Sequence, residues 1–469
     1  MNTPAGPLPR VARLLDVVAV VGLLLAATVY VTGGFREWIP FGRISITSAA
    51  RPLFVALVAL ALRHWLWPRP HLVARSLVAW RRTREAPGVR EALSITVATR
   101  TAVLVVGFLA VVMFGAPDAA SPWRLYQNEF ANLPARWDTG WYLGIASSGY
   151  DWHAPSAGRQ QNIAFFPAYP MLMRYASLLL GRELMWTGVL ISIAAFFGAL
   201  VYLYRFAQER LGDESARGGL VLIASYPFAL FFSAAYTEGL FLLTLVGACY
   251  HLERGELWRA GGWGLLAGLA RPNGCLLSIV LVLIALKPLW PFRGSSIRGL
   301  EWSRVADRVA VAAMPGFGML LYSTYLFFLT GNPLQWVVQN AAWGRVYRGV
   351  DTLFLEHAQL LGDEGLYAYT SGRTIDALNL AAVLFVLSTV VPVWRRLGIP
   401  YAALLLVNLL PPLMMGGLLS MGRVTSVLFP SFVWLGAALP AAHRPAVVMA
   451  FAMLQAFCAA LFFTWRPLY

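Results

Sequence analysis

One carboxylate, Asp138, stands in the run Arg136-Trp-Asp-Thr-Gly-Trp-Tyr142. The polar-aromatic stretch continues through Gly149-Tyr-Asp-Trp-His153 to Asn162-Ile-Ala-Phe-Phe-Pro-Ala-Tyr-Pro170. Trp137, Trp141 and Tyr142 would give Asp138 a partly apolar, sugar-stacking surround, a setting in which a carboxylate serves as a general base. Two plainer roles stay open for it: capping a helix that begins at Thr139, or pairing with Arg136. Asp151 and His153 lie in a segment that reads as a solvated turn, and Gln161 and Asn162 follow as polar candidates for lining a substrate site. Downstream, Glu238 sits beside Tyr236 and Thr237, and three cations interrupt apolar sequence: Arg271 in Arg271-Pro-Asn-Gly274, Arg345 after Trp343-Gly, and Arg423 in Ser420-Met-Gly-Arg423. An arginine fork donates paired hydrogen bonds and suits a phosphate. Ion pairing of Arg271 and Arg423 with Glu238 or Asp138 is the simpler alternative. Gln339 and Trp343 complete the candidate lining.

The elements that must position these groups are set by composition. The chain is 59% hydrophobic and only 13% charged, with a mean hydropathy of +0.63, which excludes an ordinary soluble domain. Apolar runs near the ~20 residues that a spanning helix needs recur along the chain, where a β-barrel would show short alternating strands. The net charge of +15 sits mainly in short loops, as the positive-inside rule requires, and so does not imply nucleic acid. Cys249, Cys275 and Cys458 form no CxxC pair and have no histidine at ligand spacing, so neither a disulfide framework nor a metal site is expected. Phosphate loops, HExxH and nucleophile elbows are absent.

The expected fold class is an all-α polytopic membrane protein with long outer-side loops that carry interfacial helices. Residues 1–96 supply two spans, 14–31 and 53–66, and a basic segment, 69–90, with Arg75, Arg81, Arg82 and Arg84. That segment places the N-terminus in the cytoplasm. Residues 97–469 form the larger bundle. The span 102–114 leads to an outer loop at about 115–183, in which 163–180 lies at the interface because Pro167, Pro170 and Arg174 interrupt it. Spans at 185–204, 219–233 and 240–250 follow. Basic flanks on both sides of 261–286 require two half-length helices meeting at the Arg271-Pro-Asn-Gly274 break. After 309–329 comes a second outer loop at about 331–375, with an amphipathic interfacial helix over 332–345, then spans at 378–393, 402–419, 424–439 and 447–463. The total is about eleven full spans and one broken pair. Arg271 and Arg423 then sit at outer-side tips, where the positive-inside bias least expects cations and an anionic ligand would explain them.

The same residues carry a resemblance. Trp137-Asp-Thr-Gly-Trp-Tyr-Leu-Gly-Ile-Ala-Ser-Ser-Gly-Tyr150, Ala164-Phe-Phe-Pro-Ala-Tyr-Pro170, Ser233-Ala-Ala-Tyr-Thr-Glu238, Ala270-Arg-Pro-Asn-Gly274, Ala341-Ala-Trp-Gly-Arg345 and Ser420-Met-Gly-Arg423 occur in one order. Together they resemble the PIG-V type of GPI mannosyltransferase, among the GT-C glycosyltransferases, over roughly residues 97–440. The resemblance implies a GT-C helical bundle, a polyprenyl-phosphate-linked mannose as donor, and inverting transfer to an acceptor hydroxyl on the outer face of the plasma membrane. It also implies that Asp138 is the catalytic base. Arg271, Arg423 and Arg345 would then meet the lipid phosphate, with Trp137, Trp141, Tyr142, Asp151, His153, Gln161, Asn162, Tyr236, Glu238, Gln339 and Trp343 lining the sugar and acceptor site. No cofactor or metal is implied, because cations can neutralise a lipid phosphate.

Two departures from the family pattern are visible. Gln160-Gln161-Asn162 stands where the pattern has an acid, and Gly331-Asn-Pro333 replaces Gly-Asp-Pro. The Arg-, Ala-, Gly- and Leu-heavy composition points to a bacterial chain, for which the acceptor is another glycolipid, a cell-wall glycan or a protein. The rival readings are a transporter or flippase of lipid-linked sugar, which the lack of evident repeats and the asymmetric outer loops disfavour, and a GT-C transferase of another sugar.

Overall fold

The computed structural model describes residues 9–468 apart from 33, 40–41, 68–85, 119, 121, 154–157, 288–301 and 348. Most of the basic 69–90 segment therefore lies outside the described residues. The chain is a polytopic helical membrane protein. One small exception was not anticipated: an antiparallel hairpin pairs Phe35–Ile39 with Gly42–Ile46 between the helices Arg10–Thr32 and Ala50–Leu66. Those two helices pack on each other, with Gly22 against the backbone of Pro52 and a buried Arg63–Asp16 ion pair at 2.9 Å.

Five helices are long and apolar enough to cross a membrane: Val89–Phe114, Leu184–Leu211, Thr374–Leu397, Ile399–Gly416 and Arg444–Phe463. Two bent pairs raise the number to seven among the described residues if each is one span; the expected spans 14–31 and 53–66 fall in the helices Arg10–Thr32 and Ala50–Leu66, whereas 240–250 and 424–439 do not form single helices of spanning length. The shortfall has local causes. The apolar run 424–439 is divided between the short helices Met421–Thr425 and Phe429–Ala438, the second opening at Pro430. The run 240–250 lies in Glu238–Glu253, a 16-residue helix buried on nearly every face at the centre of the molecule.

The segment 219–233 is not one straight helix. Asp213–Ser225 and the 3₁₀ turn Pro227–Ser233 meet at 81°. Proline cannot continue the hydrogen-bond ladder, and buried carbonyls freed at such a break need donors. Arg100 supplies them, donating to the carbonyls of Ala224 (2.6 Å) and Ala229, while Gln455 donates to Ala224 (3.1 Å) and Tyr226 (2.8 Å). The bend thereby fixes where the following residues, Tyr236 and Glu238, enter the core. A second bend, of 43°, separates Val305–Ala312 from Met314–Thr330 just before Pro315.

The expected break in 261–286 is present. Leu257–Ala270 ends at Arg271, a 3₁₀ turn covers Pro272–Leu276, and Leu277–Leu286 follows. Gly274 lies against the carbonyl of Ala267, and the Leu281 side chain reaches Gly264, so the chain doubles back along the helix it has just left. This helix also crosses Met314–Thr330 through Gly268 and Gly318, with Gly268 on the Pro315 carbonyl. A Cβ at Gly268 would overlap that oxygen, whereas one at Gly262 meets nothing within 4 Å. Gly268→Ala is expected to destabilise by about 1–3 kcal/mol. Gly262→Ala gains helix propensity of about 1 kcal/mol. Thermal midpoints of the two variants in detergent, moving in opposite directions, check this close crossing.

The segments expected on the outer side differ from expectation in two respects and agree in another. Within 163–180 the α-helix is Ala168–Ser177, too short to span. The single amphipathic helix expected over 332–345 is instead the short helix Gln335–Gln339 followed by a 3₁₀ turn, Asn340–Trp343. The helix Val350–Gly372 behind it was not expected, and it kinks at Gly365.

Candidate active site

Asp138 ends the loop that precedes the helix Thr139–Ser148. Its side chain does not cap that helix, and Arg136 is engaged elsewhere, donating to the carbonyls of Phe463 (2.6 Å), Asn132 (2.9 Å) and Ala135 (2.8 Å). Both plain roles for Asp138 are thereby excluded. The carboxylate turns into a cavity of about 950 Å³, where Oδ2 accepts a hydrogen bond from Arg423 Nη1 at 2.6 Å. Oδ1 has no hydrogen-bond partner among the described residues. The backbone N–H of Asp138 donates to the Tyr236 hydroxyl at 3.0 Å, which ties the loop to the turn that follows the 81° bend.

Behind Asp138 lies a second carboxylate. Glu238 Oε1 accepts from Arg423 Nε and, at 2.5 Å, from Arg271 Nη1. The Glu238 side chain is 0% exposed while that of Asp138 is 24% exposed, so only Asp138 can meet a ligand in the cavity. The Arg423 guanidinium also lies 4.6 Å from the Tyr236 ring centroid. Arg271 and Arg423 thus take carboxylate partners and still line the cavity. Arg345 lines it too and forms no ion pair or side-chain hydrogen bond among the described residues. Burial lowers its pKa to about 10, and the nearby Arg423 and Arg271 push it the same way. Three guanidiniums against two carboxylates leave a formal surplus of one positive charge at the cavity.

The remaining wall is aromatic. Trp141 stacks on Phe165 with centroids 5.9 Å apart, Trp343 sets its edge against both, and Trp137 packs on Trp465 at 5.1 Å. Tyr142 closes the base, nearly buried among Phe165, Tyr169 and Tyr236. Such faces suit the apolar side of a pyranose ring. Of the four non-glycine residues with left-handed backbones among the described residues, Trp137 (φ 47°), Ser420 (φ 60°) and Trp465 (φ 62°) all line this cavity. Side chains other than glycine adopt that conformation at a cost, and such strain gathers at functional sites.

Several expected lining residues fall elsewhere. Asp151 and His153 pair with each other at 2.9 Å on an exposed loop. Gln161 exchanges hydrogen bonds with the backbone of His153, and Asn162 with that of Asp151 and Gly149. Both amides shape this loop rather than the cavity wall. Gln339 is buried and donates to the Arg159 carbonyl, and Glu238 sits behind the wall. Their places are taken by residues that sequence reasoning missed: Gln160, Asn273, Asn340, Ser420 and Trp465. Asn273 had a usable signal, being inside the Arg271-Pro-Asn-Gly274 break. Trp465 had none, because only the packing of the last helix brings it to Trp137.

Residues 118–289 match the family model described as mannosyltransferase (PIG-V). The chain resembles the PIG-V mannosyltransferases. The PIG-V-like segment contains Asp138, Tyr236, Glu238 and Arg271 and stops short of Arg345 and Arg423. Among solved structures, the chain is similar to ArnT from Cupriavidus metallidurans bound to undecaprenyl phosphate, at 12% identity over 78% of this chain and 75% of that one, with a TM-score of 0.43. It is also similar to the archaeal oligosaccharyltransferase AglB from Archaeoglobus fulgidus in complex with an inhibitory peptide and a dolichol-phosphate. There the identity is 14% over 79% of this chain and 56% of that one, with a TM-score of 0.35. No curated protein matches the chain.

Proposed function

We propose that this protein is a membrane glycosyltransferase that moves a mannosyl residue from a polyprenyl-phosphate-linked donor to a hydroxyl of a glycolipid, glycan or protein acceptor on the outer face of the plasma membrane. The observation that carries this reading is the juxtaposition of the cavity-lining carboxylate of Asp138 with the Arg345 guanidinium, which has no ion-pair partner among the described residues, under an aromatic wall. The match of 118–289 to the PIG-V mannosyltransferases supports it.

Asp138 accepts the proton of the acceptor hydroxyl as that oxygen attacks the sugar C1. The bond from C1 to the phosphate oxygen breaks on the opposite face, so the anomeric centre inverts, and the lipid phosphate departs with the electron pair. Arg345 meets the charge that remains on the phosphate, with Arg271 alongside. Arg423 holds Asp138 Oδ2 and so keeps Oδ1 aimed at the acceptor. Trp141, Phe165 and Trp343 hold the sugar ring and exclude water, which would otherwise compete as acceptor.

The test is reconstitution of the purified chain in vesicles with polyprenyl-phosphate-mannose and a membrane-lipid extract. Appearance of mannosylated product with release of polyprenyl phosphate supports the proposal. Donor that crosses the bilayer unconsumed would instead make the protein a transporter of lipid-linked sugar. A label at residue 140, beside Asp138, is accessible from the outer side alone if the orientation is as proposed.

A further inference from the structure

Glu238 is a fully buried charge and does not line the cavity, yet it binds two of the three cations that do. We propose that Glu238 is a positioning and charge-setting residue: from behind the wall it fixes Arg423 against Asp138 and holds the cavity at a surplus of one positive charge, the match for a donor joined through a single phosphodiester. This rests on the proposed glycosyl transfer and assigns to Glu238 a role that contact with sugar or acceptor does not explain.

Three observations converge. Oε1 receives Arg423 Nε, which leaves Nη1 of the same guanidinium to reach Asp138 at 2.6 Å, so a single planar group connects the two carboxylates. A guanidinium gripped at Nε cannot swing into the cavity to follow a departing phosphate, and Arg423 is further held over the Tyr236 ring. Tyr236 itself accepts the Asp138 backbone N–H, so Glu238, Arg423 and Tyr236 together fix both ends of Asp138. The second acceptor contact, from Arg271 Nη1, neutralises a cation that would otherwise face the ligand at full strength. Without Glu238, three guanidiniums would confront one carboxylate, a site suited to two negative charges and slow to release an anionic product.

The discriminating variant is Glu238→Gln, which preserves volume and removes the charge. Two quantities are read: steady-state transfer in vesicles, and equilibrium binding of a short-chain polyprenyl phosphate, which needs no turnover. The variant is expected to bind polyprenyl phosphate on the order of tenfold more tightly, the effect of one unit charge near the site. Its donor KM falls, and its kcat falls on the order of 10- to 100-fold as Arg423 loses its hold on Asp138. A purely structural role gives the opposite pattern: fewer active molecules, with KM and lipid-phosphate affinity unchanged in those that remain. That result overturns the proposal.

The double variant Glu238→Gln with Arg271→Gln returns the surplus to one and serves if the single variant folds poorly. Native affinity regained in the double variant supports charge setting, and affinity below that of Arg271→Gln alone overturns it. If the native chain neither transfers mannose nor binds polyprenyl phosphate, the glycosyltransferase reading fails with it. Native transfer with an unaltered Glu238→Gln variant defeats this inference alone.

Discussion

Replacing Asp138 with asparagine lowers the transfer rate at saturating donor by about 10²–10⁴-fold, the usual contribution of a positioned general base. Asparagine keeps the shape of the side chain, and its carbonyl oxygen can still accept the Arg423 Nη1 hydrogen bond that Oδ2 accepts at 2.6 Å. The loop therefore retains its anchor, as it does through the backbone N–H that Tyr236 receives. What is lost is the second oxygen's capacity to take a proton. Donor binding should not weaken, because removing a carboxylate raises the positive surplus next to the phosphate. The expected signature is a collapse of kcat with donor affinity equal to or better than native, measured on protein shown by size-exclusion profile and thermal midpoint to be folded. Turnover within a few fold of native would remove Asp138 from the role of base and leave it as a partner for Arg423.

Arg345→Ala is expected to do the reverse and act on the donor. A charge-assisted hydrogen bond is worth about 1.5–3 kcal/mol, which at 1.4 kcal/mol per decade corresponds to roughly a 10- to 150-fold rise in donor KM. The variant is informative because Arg345 has no carboxylate partner among the described residues, so its removal strands no buried anion. Arg423→Ala lacks that clarity: it would leave both Asp138 and Glu238 short of a counter-charge and disturb folding. Lysine at 345 restores the charge without the planar fork and should recover only part of the affinity. Donor and acceptor affinities that shift equally in Arg345→Ala would detach this residue from the phosphate.

The parts of the molecule legible in the sequence were those governed by short-range rules. The membrane class follows from composition, the break at Arg271-Pro-Asn-Gly274 from proline and glycine in an apolar run, and the placement of Asp138 from a carboxylate isolated among aromatic residues. Arg271 and Arg423 were visible as cations out of place. Their pairing with Glu238 and Asp138 was the simpler alternative in the sequence; that Arg345 is left without a carboxylate among the described residues depends on three helices and a loop meeting at one point, which no local pattern encodes. Breaks inside two apolar runs escaped the sequence reading for a related reason. Pro227 and Pro430 break runs that hydropathy alone reads as continuous, and at the Pro227 bend side chains distant in sequence, Arg100 and Gln455, satisfy the exposed carbonyls. Gln161 and Gln160 show the finest limit: neighbours of one type, of which one supports a loop and the other lines the cavity.

The left-handed backbones at Trp137, Ser420 and Trp465 bear on how this protein can adapt to heat. Glycine at any of the three would relax a conformation that costs other residues roughly 1–2 kcal/mol, while removing a side chain from the cavity wall. A library selected for thermal tolerance alone should therefore accumulate glycine at 137, 420 and 465, and the survivors should be poor catalysts. Selection that also demands transfer should hold the tryptophans in place and find its stabilising changes on the lipid-facing helices instead. The same sites would then mark where robustness and turnover pull the lineage in opposite directions.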